Sequence, residues 1–236
     1  MTHSQDCLLC GAELEYTEAT TEYDCAVCGK RARGTASCVR GHYVCDVCHT
    51  STKTELIERV CASSTSTDPV ALATELMGSP SIAMHGPEHH FLVPAVLLAA
   101  YDNATGQADK KAAHLAEARR RAELVPGGFC GTHGNCGAGV GTGIFWSVAT
   151  GATPLATQTW AESNRLTARS LLRIADHGGP RCCKRDTWHA LLQAKNDIGE
   201  KVTATGWANT SPLPVCSHSS RNKDCLRERC GFHPLA

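Results

Sequence analysis

Apolar positions along the chain change their period once. Up to residue 50 they fall in short alternating runs such as Ala12-Glu13-Leu14-Glu15-Tyr16, broken by Gly, Thr and Cys, which predicts short hairpin strands. From Ser51 onward the spacing becomes helical. Segments 54–62, 70–77, 94–101, 109–124, 158–176 and 182–199 carry Ala, Leu, Lys, Arg and Glu at helical intervals. Asp68-Pro69 supplies an N-cap followed by proline at the first helical position, while Pro126-Gly127-Gly128 and Gly178-Gly179 supply stops. The pattern predicts a mainly α protein: a helical Cys/His-rich domain over 51–236 behind a small N-terminal hairpin module over 1–50. The run Ser63-Ser64-Thr65-Ser66-Thr67 reads as a short hinge between them.

Charge narrows the list of partners. The 23 basic and 23 acidic side chains among 236 residues cancel, so neither nucleic acid nor an anionic membrane is an expected partner. The Arg119-Arg120-Arg121 run sits between Glu117 and Glu123 and reads as a solvated helix face. The longest apolar stretch, 91–101, contains Pro94 and falls far short of the roughly 20 residues that span a bilayer. The first residues lack the basic and apolar regions of a secretory signal, so a cytoplasmic location is expected. There, 15 closely spaced cysteines read as metal ligands or redox centres rather than as disulfides.

The first cysteines form a pattern of their own. Cys7-x-x-Cys10-Gly11 and Cys25-x-x-Cys28-Gly29 are knuckles in which two thiolates grip one ion and the glycine lets the chain turn back. Cys38, His42, Cys45 and Cys48 follow, completing eight ligands for two tetrahedral zinc ions. Their pairing is either sequential, as in ribbons, or interleaved, as in a cross-brace where Cys7 and Cys10 share an ion with Cys38 and His42. So short a segment buries little apolar surface, so bound zinc would supply on the order of 10 kcal/mol of folding free energy per ion. His49 is a spare donor, and Cys61 falls in a helical run as a core residue.

The remaining unusual residues gather where a glycine or proline precedes a helical run, at positions whose free backbone N–H groups favour thiolates and anions. One such start holds His85, Glu88, His89 and His90, with Glu88 and His89 as candidates for moving protons. The glycine-rich 127–143 stretch holds Cys130 and Cys136 and matches neither a dinucleotide fingerprint nor a P-loop. It reads as a loop closely approaching a ligand, leading into a helix of small residues. At the third start, Arg181, Lys184 and Arg185 surround the vicinal pair Cys182-Cys183, and Cys183 is the candidate nucleophile.

Cys216, Cys225 and Cys230 lie in a Pro- and Ser-containing tail that a metal would tie down. With Cys130, Cys136 and Cys182 they form a candidate cofactor set. The preferred reading is one four-thiolate iron–sulfur cluster, with a further zinc site or a metal-free dithiol as alternatives. None of the compact ferredoxin spacings is present.

Cys25-x-x-Cys28-Gly29, Gly41-His42-Tyr43-Val44-Cys45-Asp46-x-Cys48-His49, His85-Gly86-Pro87-Glu88-His89-His90, the 130–143 loop and Gly179-Pro180-Arg181-Cys182-Cys183-Lys184-Arg185 together resemble a cysteine-rich prokaryotic family known only as a domain of unknown function. The resemblance covers most of the chain and transfers no substrate. It implies that these segments act as one unit, and members from anaerobes suit an oxygen-sensitive cluster. The expected function is that of a metal-dependent enzyme acting on a small molecule by sulfur transfer, lyase or redox chemistry. The rival is a non-catalytic zinc adaptor that binds a protein partner, or a metal or redox sensor.

Overall fold

A computed structural model describes residues 7, 9–45, 48, 52–202, 207 and 212–236. His49 lies outside the described residues. The chain begins with an antiparallel hairpin, β1 (Leu14–Asp24) and β2 (Arg31–Cys38). Its register pairs Leu14 with Cys38 and Asp24 with Arg31, and slips between Tyr16 and Thr21. One face is largely exposed, and the hairpin is fastened by side chains behind it: Tyr23 stacks on Tyr43 at 4.9 Å, and Tyr43 donates to the Arg33 carbonyl. Gly34 is required here, because a Cβ would strike the Tyr43 ring.

Eight helices follow among the described residues: α1 (Lys53–Ser63), α2 (Pro69–Gly78), α3 (Glu88–Ala104), α4 (Lys111–Ala122), the one-turn α5 (Phe129–Thr132), α6 (Gly137–Thr150), α7 (Gln158–Asp176) and α8 (Cys183–Ile198). Their ends follow local chemistry. Thr52 and Glu55 form a reciprocal capping box on α1, and Asp68 caps α2 ahead of Pro69.

Helix α3 is the axis of the body. Apolar on all sides from Phe91 to Ala100, it is buried on all sides, with α1, α2, α4, α6 and α8 packed around it. The helix starts six residues before the apolar run at Pro94 that the sequence suggests, and Pro94 sits inside it. Proline withdraws a donor from the His90 carbonyl and so loosens the ladder at that point. There α6 crosses closely: a Cβ on Gly141 would lie 2.9 Å from Pro94 and 3.2 Å from the His90 carbonyl oxygen. Gly139 and Gly143 make the same room against Leu171 and Thr167 of α7.

Serine-rich residues 63–67 read as a hinge, but two of their carbonyls are held. Asn103 donates to the Ser64 and Ser66 oxygens at 3.0 and 2.8 Å, and buried Lys111 donates to Ser64 at 2.7 Å. The arginine run on α4 is neutralised as its flanking acids suggest, by Glu117, Glu123 and Glu58. Cys61 is fully buried in the core. No described helix is long and apolar enough to cross a membrane.

The tail over 212–236 consists of short turns packed on α8. Phe232 is buried against Trp188 and His189 at ring distances of 5.1 and 4.7 Å, and its carbonyl accepts from the Cys216 N–H at 2.7 Å. Packing of Phe232 and the backbone bond to Cys216 therefore order this segment.

Candidate metal centres and an adjoining thiol cavity

The hairpin decides how the first eight ligands pair. β1 leads away from the Cys7–Cys10 knuckle and β2 returns to it, because the register puts Cys38 opposite Leu14. Cys7, Cys10, Cys38 and His42 thus converge, as do Cys25, Cys28, Cys45 and Cys48, each set with its donor atoms within 4.8 Å of one another. The pairing is the interleaved one. Four bonds of roughly 2.3 Å to sulfur and 2.0 Å to nitrogen at tetrahedral angles put sulfurs about 3.8 Å apart and sulfur and nitrogen about 3.5 Å apart. Cys10 and Cys38 are 3.9 Å apart, Cys28 and Cys45 3.9 Å, and Cys38 is 3.5 Å from His42 Nδ1. Both sets could hold a metal ion.

Knuckle backbones support that chemistry. Gly11 and Gly29 adopt φ of +64° and +68°, which turns their N–H groups back onto the Cys7 and Cys25 carbonyls. Burial opposes ionisation of Cys25, yet N–H bonds from Cys45, Cys28 and Val27 outweigh it and bring the thiol down to about 7.

The later cysteines divide into two groups instead of forming one centre. Cys182, Cys216, Cys225 and Cys230 line one narrow cavity of about 20 Å³, together with Lys184 and His218. Several of these sulfurs accept backbone N–H bonds: Cys216 from His218 at 3.3 Å, Cys225 from Arg227 at 3.4 Å, and Cys182 from Arg185. Arg227 takes the left-handed φ of 55° in the turn that aims its N–H at Cys225. Among the described residues the only groups of three or more donors mutually within 4.8 Å are the two N-terminal sets. These four thiols therefore stand wider than the ligands of a single ion.

Cys130 and Cys136 face a second cavity, and Cys183 faces it with them. Its volume is about 290 Å³, and His85, His89, His90, Arg181 and Asp186 add the other titratable and charged groups of its lining. All three helix starts meet here: the Gly86–Pro87 turn before α3, Cys136 capping α6 and Cys183 opening α8. The vicinal cysteines thus serve different cavities, because successive residues at a helix start point in different directions. Burial, reinforced by the nearby Asp186 carboxylate, pushes the Cys136 thiol up to about 12. Burial pushes Cys183 up to about 11, against an opposing N–H bond from Gly86.

The family of unknown function DUF5714 matches residues 57–233. The chain belongs to this family. No curated protein and no solved structure matches it. Both cavities, and all seven cysteines around them, lie inside the DUF5714 segment, whereas the eight N-terminal ligands precede it.

Within that segment, the two residues expected to move protons are engaged by their surroundings. Glu88 curls back over the start of α3, accepts from the Ala83 N–H at 3.0 Å and pairs with Lys53 at 3.2 Å. Gly86 leaves the space it occupies. Burial would raise its carboxyl, but N–H bonds from its own backbone and Ala83 hold it below the usual range. His89 uses both nitrogens, Nδ1 on the Thr187 hydroxyl and Nε2 on the Ala83 carbonyl, each at 3.1 Å; burial brings it down to about 4. Both side chains fix the 83–88 loop.

Basic residues around Cys182-Cys183 separate in the same manner. Lys184 is buried, donates to the Met77 and Ile82 carbonyls, and is brought down to about 8 by burial and by Arg221. Arg185 holds the Gly178 and Pro180 carbonyls and pairs with Asp186 at 3.2 Å. Asp186, a cavity residue missed from sequence, stands three positions after Cys183 with its Oδ2 3.9 Å from the Cys136 sulfur. Helical spacing carried that signal. His218, buried and stacked parallel to Trp188, left no sequence signal.

Proposed function

We propose that the chain is an iron–sulfur enzyme acting on a small molecule, with two structural zinc ions in its N-terminal cross-brace. The observation carrying this reading is the wall formed by Cys182, Cys216, Cys225 and Cys230, brought together from α8 and the tail around one cavity. An iron–sulfur cluster spaces its cysteines more widely than a single ion does, because they bind different iron atoms. The N–H bonds to Cys182, Cys216 and Cys225 suit thiolate ligands, and buried Lys184 faces the same wall with positive charge. Such a cluster supplies one-electron transfer or Lewis acidity. The chain's own contribution is the adjoining cavity of about 290 Å³, at the lower edge of the size usual for a small-molecule site. Redox chemistry, sulfur transfer and elimination all fit a thiol-lined cavity next to such a group.

For the N-terminal sets zinc is the natural ion, since four thiolates, or three thiolates and an imidazole, are its structural coordination. Protein purified without oxygen should contain two zinc ions, and about two or about four irons with absorption near 400 nm, the cluster types that four thiolates hold. Cys182→Ala should remove the iron and the absorption while leaving both zinc ions. Zinc alone in the wild-type protein would overturn the cluster and favour a zinc adaptor.

A further inference from the structure

We propose that the second cavity takes a small anionic molecule and holds it against the Cys183 thiol, with Arg181 recognising its charge. The proposal rests on reading the DUF5714 segment as an enzyme of small molecules, and it names the class of substrate. Three basic residues surround the vicinal cysteines, and two are committed to the protein interior: Lys184 to main-chain carbonyls, and Arg185 to Asp186 and the 178–180 turn. Arg181 is exposed, makes no ion pair among the described residues, and lines the cavity beside Cys183. An unpaired guanidinium at the mouth of a cavity is a fork for a carboxylate or another oxyanion.

The walls suit the same ligand. Asp186 is the cavity's own carboxylate, and Arg185 already offsets it at 3.2 Å, so the remaining charge is that of Arg181. His85 presents a buried Nδ1 with no hydrogen-bond partner among the described residues. His90 donates its Nδ1–H to the Val125 carbonyl at 3.0 Å, so its neutral ring keeps Nε2 as an acceptor for a hydroxyl or N–H group of the ligand rather than for its charge. Gly127 and Gly128 offer bare backbone with open space where a Cβ would be, so a ligand can approach the main chain. Cys183 itself is held by the Gly86 N–H.

Competing alkylation of the whole protein tests this. Iodoacetate and iodoacetamide deliver nearly the same electrophilic carbon with and without a negative charge, and each loses iodide as its carbon bonds to sulfur. Peptide fragmentation assigns the label to Cys183 rather than Cys182. The iodoacetate-to-iodoacetamide rate ratio at Cys183 should exceed that of cysteine in a short peptide by on the order of tenfold, the value of one charge-assisted hydrogen bond. Arg181→Gln should return the ratio to the peptide value, and Arg181→Lys should keep most of the preference. A peptide-like ratio in the wild-type protein, no response to Arg181→Gln, or no labelling of Cys183 by either reagent would overturn the proposal. Iron content measured on the same samples reports separately on the cluster, so either reading can fail alone.

Discussion

The two cysteine-bearing regions reach their geometry by opposite routes. In the first, both ligand sets come from residues 7–48, the strands are largely exposed, and few apolar residues besides Leu9, Val27 and Tyr43 are buried with the thiols. In the second, thiols come from positions as distant as 130 and 230 and are positioned by α3, α6 and α8 around a core that includes Phe91, Leu97, Phe145 and Trp188. The first region buries little besides its thiols, and its two donor sets could hold the ions that would stabilise it. The second has a packed body on which thiols are mounted.

Metal removal should break this contrast most visibly. Cys25→Ser takes one ligand from the second set and should lower the zinc content from two ions to one, forfeiting on the order of 10 kcal/mol of local folding free energy. The hairpin should become a target for limited proteolysis, with cuts between residues 11 and 45, while the helical circular dichroism and any bound iron stay at wild-type levels. A protease-resistant hairpin in the zinc-depleted variant would show that the helical body supports it after all. Contacts of that kind exist: Leu9 and Val27 belong to one buried cluster with Ile57 and Val60, Ser63 donates to the Val27 carbonyl at 2.9 Å, and the Arg59 guanidinium approaches the Cys48 sulfur at 3.9 Å.

The same contrast explains what could be read from the chain beforehand. Cysteine and histidine spacing carries its own geometry, so the eight N-terminal donors that converge in two sets were legible; only their pairing needed the register of β1 on β2. Helix α7 was legible to the residue at 158–176 because its amphipathic pattern and its stop are local signals. Helix α3 was legible only from Pro94, since a wholly buried helix has no polar face to mark its start. That the three helix starts meet at one cavity, and that Cys130 and Cys136 join Cys183 rather than Cys182, is a property of helix crossings. The partners of Glu88 and His89, the Ala83 main chain, Lys53 and Thr187, were not legible because they are selected only by the fold.

If packing rather than metal assembles the second region, a methyl group at its tightest crossing should loosen it. Gly141→Ala places a Cβ 2.9 Å from the Pro94 ring and 3.1 Å from the Val93 Cβ, where both neighbours belong to the buried axis. Overpacking of this kind costs about 1–3 kcal/mol, well below the loss of an ion. Urea denaturation followed by the helical signal should show a lower midpoint with an unchanged slope, and zinc content should stay at the wild-type value. An unchanged midpoint would mean that α3 and α6 separate without cost, and that the cavity between their starts is less firmly set than their spacing implies.

The smallest effect comes from a histidine that has no metal near it. His189 is buried on α8 between the His177 ring at 3.7 Å and Phe232 at 4.7 Å, and neither of its nitrogens has a hydrogen-bond partner among the described residues. Burial, with His177 and Arg173 adding to it, brings its pKa down to about 3. The unfolded chain would protonate this ring near pH 6.5, while the folded protein refuses the proton until about pH 3. Its contribution is therefore constant above pH 6.5, and stability is lost as pH falls below that value, by up to about 1.4 kcal/mol per pH unit. His189→Phe keeps a ring in the stack and removes both the titration and the unpaired nitrogens. It should gain about 1 kcal/mol at pH 7 and show a shallower loss between pH 6 and pH 4 than the wild-type protein. Acid release of metal is common to both proteins and cancels in their difference, so parallel pH profiles would mean that His189 has a partner in solution.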